Sequence, residues 1–221
     1  RIGWLTKMRD QLLAEAYAMY LQGEPFTPTP ADEARLFVDI NTKHQGVSKA
    51  LILDVKSLAG SESDEERLLR ELFDRLNTDE DSPLHNKLSA AQSSSGKLSR
   101  VAFNTSVVRA LKRDTLRRIT SKDKQYELIL KYLRAYHEGL ADKSLLTKKH
   151  YFNSVFELFD EVVKKTKKEH GSVTLTSLQQ VITPICNPPE ENIPRVQKRD
   201  TLVEIMRSRL NSDTSISDDD I

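Results

Sequence analysis

Arg109, Arg113 and Arg117 stand four residues apart, so on one continuous helix they line a single face, with Lys112 beside them. A guanidinium is planar, permanently charged and donates two parallel hydrogen bonds, which suits such a row to phosphate. Lys97 and Arg100 add charge from the preceding segment. Residues 97–124 carry nine bases against Asp114 and Asp123, whereas residues 61–81 carry nine acids against three bases. Two readings of this segregation stay open: a polyanion-binding face, or two solvated helix surfaces. Nearby, only Asn104 offers an amide for reading base edges, and no aromatic platform interleaves with the charges. The pattern therefore points to DNA contacted through its backbone rather than through its sequence.

Other chemistry finds little support. The seven glycines are scattered and form no phosphate loop, and no histidine pair has metal-ligand spacing. No serine sits in a nucleophile elbow, and Cys186, before Asn187-Pro188-Pro189, has no partner close in sequence. Asp79-Glu80-Asp81 reads as an acidic turn rather than a cation site, and Lys164, Lys165, Lys167 and Lys168 read as a solvated helix end. No catalytic residue, metal site or cofactor is expected among these residues.

The elements that must carry the row are helical. Leu5, Met8, Leu12, Ala16 and Met19 recur every three or four residues, the mark of an amphipathic first helix. After Pro25–Pro30, Thr29 with Pro30 and Asp32 reads as a helix start. Ser48 can cap a helix that runs through Leu58 and stops at Gly60. Ser63 and Glu66 have capping-box spacing before the stripe Leu68, Leu69, Leu72, Phe73 and Leu76. A Ser-rich loop at 89–96 precedes a short strand within Leu98–Phe103. Three helices follow, over Asn104–Ile119, Asp123–Tyr136 and His150–Lys168, and a fourth runs from Thr174 or Thr176 to Ile182. Beyond Pro188 and Pro189, Arg195–Leu210 reads as an outlying helix and the Ser- and Asp-rich end as a disordered tail. The fold class is mainly α, with at most one or two short strands.

Composition adds bounds. A single cysteine in 221 residues excludes a disulfide framework and fits a reducing, cytoplasmic setting. Charged residues interrupt every apolar run before the roughly 18 residues of a membrane span, so no membrane partner is expected. The start at Arg1 predicts an upstream segment outside this sequence.

The stretch Pro30-Ala-Asp-Glu-Ala-Arg-Leu-Phe-Val-Asp-Ile-Asn-Thr, continued by Val47, Lys49 and Leu51, resembles the Glu-Ala-x-Leu-Phe-x-x-Ile-Asn-Thr segment of DGQHR-domain proteins. That group includes the DndB-like proteins associated with bacterial DNA phosphorothioation. Ser82-Pro83-Leu84, Gly96-Lys97-Leu98-Ser99 and the helical remainder are similar as well, so the resemblance spans about residues 29–186. Its distinctive residues are Phe37, Asn41, Thr42 and Lys43, where Asn41 ends a helix and Thr42 and Lys43 occupy the turn beyond it. The Asp-Gly-Gln-His-Arg motif that names the family is absent from this chain. In the family it belongs to a ParB-like α/β half, which makes these residues the helical part of a larger protein, and a junction between Gln22 and Thr29 would account for its loss.

The expected organisation is an N-terminal helix and linker (1–28), a helical DGQHR-like region (29–186), and a linker, helix and tail (187–221). The resemblance implies a DNA-binding or regulatory protein of a bacterial DNA-modification or defence system, with other proteins of that system as partners and a homo-oligomer allowed. The alternative is a ParB-like nuclease or nucleotide hydrolase whose active site lies outside this chain. A third reading is an assembly module that contacts partners through Leu202, Ile205 and Met206.

Overall fold

Ser63 begins the larger of two units, Arg1–Glu62 and Ser63–Ile221, into which the chain divides. The computed structural model describes residues 29–32, 34, 49–90, 96–187 and 198–212. The N-terminal helix, the family residues Phe37, Asn41, Thr42 and Lys43, the junction at 22–28 and the acidic tail lie outside them.

In the first unit, Thr29 accepts the Asp32 backbone N–H (3.2 Å to Oγ1) while its own N–H donates to the Asp32 carboxylate (3.0 Å). This reciprocal cap opens the helical turn at Pro30, as the sequence predicts. Helix α1 (Lys49–Leu58) is closed by Gly60, whose φ of +60° lets the Ser61 N–H return to the Lys56 carbonyl at 3.0 Å.

In the second unit, Ser63 and Glu66 form both halves of a capping box on α2 (Asp64–Thr78), which buries Leu69, Leu72, Phe73 and Leu76. Strands β1 (Leu88–Ser89) and β2 (Leu98–Ser99) pair in parallel, Leu88 opposite Leu98. The expected strand stops at Ser99 because its hydroxyl accepts the Ala102 N–H and starts α3 (Arg100–Lys112). Then come α4 (Asp114–Arg117), α5 (Lys122–Gly139), a 3₁₀ turn (Lys143–Thr147), α6 (Lys149–Glu157), α7 (Phe159–His170), α8 (Leu175–Ile182) and α9 (Lys198–Asn211). Thr174, not Thr176, caps α8, with Ser177 returning the bond.

The core is aromatic. Phe103 lies edge-on to Phe73 and is stacked with Phe152; Tyr132 lies 4.6 Å from Phe159 between ring centroids. The Tyr132 hydroxyl, fully buried, donates to the Val155 carbonyl at 2.6 Å. Helix α3 packs on α6, α8 on α5 and α7, and α9 on α6.

Three expectations need correction. The helix over Asn104–Ile119 breaks at Arg113, and that over His150–Lys168 breaks at Leu158. The C-terminal helix is not outlying: Leu202, Met206 and Leu210, each four residues on, are buried at 0–3% exposure. An i, i+4, i+8 stripe is the signature of a docked helix, and it removes Leu202 and Met206 from any partner-binding face.

Candidate nucleic-acid interface

Arg113 decides the shape of the basic segment. Its backbone is extended (φ −78°, ψ 156°), so it ends α3 and begins α4 at the same residue. Arg109 and Arg117 therefore belong to different helices, and the continuous row does not form. Arg113 supplies no side-chain cap to α4. The cap comes instead from α7, where Asp160 Oδ1 accepts the Thr115 N–H at 3.1 Å and the Thr115 hydroxyl at 2.5 Å. Burial pushes the Asp160 carboxyl up, but the hydrogen bonds from Lys164 and Thr115 outweigh it and hold the carboxyl below its ordinary range.

The expected cations divide by this geometry. Arg109 and Arg113 both reach Glu157, the last residue of α6, at 3.0 and 3.5 Å. Arg109 is half-buried in that pair, and the Arg100 guanidinium lies 5.1 Å over the Phe73 ring. These two side chains pack the fold more than they face solvent. Lys112 meets Glu65 at 3.2 Å, Lys122 meets Glu71 at 2.9 Å, and Asp123 meets Arg75 at 2.7 Å. The acidic and basic segments thus partly neutralise one another across α2, which favours the solvated-surface reading for that portion. Lys97 is exposed beside β2. Asn104 turns its amide oxygen into the interior, leaving little for base readout.

What remains is a stretch of surface cation. Lys112, Arg113, Arg117, Arg118, Lys122 and Lys124 are all exposed, Arg117 at 72% and Arg118 at 80% of the side chain. The last two lean on Asp114 at 3.4 and 3.9 Å. Exposed pairs of this kind are worth about 0–1 kcal/mol, so a phosphate can displace them. Lys124 makes no ion pair among the described residues.

Sequence reasoning missed one gathering. Arg118, Lys124, Lys131, Lys164 and Lys167 line a cavity of about 490 Å³ between the α4–α5 segment, α5 and α7. Lys164 and Lys167, three apart on α7, share a face, but only the packing of α4 on α7 brings them to Arg118.

No group of three or more His, Cys, Asp or Glu side chains that could hold a metal ion occurs among the described residues. Cys186 is buried, its thiol donates to the Gly139 carbonyl at 3.0 Å, and burial pushes its pKa up, the reverse of an activated thiolate. No described helix is long and apolar enough to cross a membrane. No protein-family model, curated protein or solved structure matches the chain.

Proposed function

We propose that the helical unit binds duplex DNA through backbone phosphates and serves as a DNA-binding or regulatory component of a bacterial DNA-modification or defence system of the phosphorothioation type. The observation that carries the DNA reading is the run of six exposed cations between Lys112 and Lys124, set out by the helix break at Arg113. Arginine forks suit phosphate oxygens, and the segment offers no built arrangement for base edges. The likeness of residues 30–51 to DGQHR-domain proteins supports the modification context, a cytoplasmic setting, and partner proteins of the same system.

A salt titration of duplex binding tests the reading. Each neutralised phosphate contributes about 0.9 to the log–log slope. Arg117→Ala with Arg118→Ala should flatten the slope by roughly 1–2 and weaken unrelated duplexes alike. An unchanged slope in a folded double variant would falsify the assignment of this surface.

A further inference from the structure

We infer that the cavity between the α4–α5 segment, α5 and α7 is a binding site for a small organic anion, an apolar body that carries one phosphate or carboxylate group. Two properties of the lining lead there. Its floor is aliphatic, built from Ile119, Leu128, Val163 and Val173, with Val163 buried and the other three half-buried. Its rim is cationic, five bases against the carboxylates of Asp114 and Glu127. Arg118 and Lys131 pair with those two carboxylates and Lys164 with Asp160 at 2.6 Å, which leaves Lys124 and Lys167 as the rim cations with no ion-pair partner among the described residues.

Neither property suffices alone. An inorganic anion would meet the rim and leave the aliphatic floor wet. A neutral apolar molecule would cover the floor and ignore the charge. A ligand with both parts removes the floor from water at about 25 cal/mol per Å² and places its head among the cations. The volume of about 490 Å³ falls within the roughly 300–1,000 Å³ of small-molecule sites. A duplex presents its phosphates on a rigid outer surface and has no apolar body to lower into this space, so the cavity takes a different ligand although Arg118 and Lys124 belong both to it and to the cationic run above.

The test uses the full chain and no DNA, which keeps it independent of the nucleic-acid reading. Hexyl phosphate, inorganic phosphate and 1-hexanol are titrated by calorimetry. Hexyl phosphate should saturate at one site per chain and bind at least tenfold more tightly than either half-ligand. Lys124→Ala with Lys167→Ala, on exposed side chains, should weaken it at least fivefold; Leu128→Gln on the floor should weaken it at least threefold. Lack of saturation, equal affinity for inorganic phosphate, or variants that bind as the wild type does would each overturn the site. So would a preference for vesicles of anionic phospholipid over monomeric hexyl phosphate, which would make the patch a membrane contact instead.

Discussion

Asp160, in the first turn of α7, caps α4 from outside it by accepting both the backbone N–H and the hydroxyl of Thr115, 45 residues earlier in the chain. A helix of four residues cannot hold itself together by its own hydrogen bonds, so α4 depends on this carboxylate and on the burial of Leu116. Arg117 and Arg118 ride on that turn, which links the surface charge to a side chain on a distant helix.

Replacing Asp160 with alanine should therefore cost about 0.5–2 kcal/mol, the usual range for loss of a capping side chain. It should also blur the placement of Arg117 and Arg118. Urea denaturation measures the first effect, and duplex binding at fixed salt measures the second. Thr115→Val, which keeps the backbone donor, should cost less than Asp160→Ala.

The same carboxylate predicts a pH dependence. Its pKa is lowered on folding, so its contribution is present above the ordinary carboxylate range and is lost as pH falls through the folded value. The gap in urea midpoint between wild type and Asp160→Asn should be open at about pH 6 and narrow toward about pH 3. A gap that widens on acidification would contradict the sign.

Local signals were legible where the residues nearest in sequence decide the outcome. Ser63 with Glu66, Thr29 with Asp32 and the stop at Gly60 all take the predicted geometry, and Leu69, Leu72, Phe73 and Leu76 face the core as their spacing requires. The breaks at Arg113 and Leu158 were not legible, since neither is marked by proline or glycine and apolar periodicity runs through both. At Arg113 the cap is Asp160, which no local window contains. For α9 the signal was present in Leu202, Met206 and Leu210, but the adjacent Pro188-Pro189 linker suggested separation. The gathering of Arg118 and Lys124 with Lys164 and Lys167 exists only after α4 meets α7.

Met206, buried at 0% exposure on α9, should behave as a core residue. Met206→Ala is expected to destabilise the second unit by about 2–5 kcal/mol. Thermal or urea unfolding checks this, with Glu204→Ala on the exposed side of the same helix as a control within about 0.5 kcal/mol.

Gly139 closes α5 under a close neighbour. A Cβ there would stand 2.8 Å from Cys186 Sγ. Alanine normally gains about 1 kcal/mol over glycine in a helix, yet this contact should reverse the sign and make Gly139→Ala destabilising by about 1–3 kcal/mol. Cys186→Ala should recover part of that loss, and a double-mutant cycle on unfolding midpoints measures the coupling.

The docking of α9 also bears on how the chain is made. Arg207 grips Glu161 through three hydrogen bonds of 2.8, 2.9 and 3.2 Å, and Lys165 donates to the Leu210 carbonyl at 2.5 Å, so α7 is tied to residues synthesised some 45 positions later. Until Lys198–Asn211 has left the ribosome, the surface of α6 that packs against α9 lacks that helix. A nascent chain in that state presents the kind of surface that holding chaperones engage. Stalled or C-terminally truncated products should accordingly be the ones drawn into aggregates and proteolysis, while the completed chain escapes both.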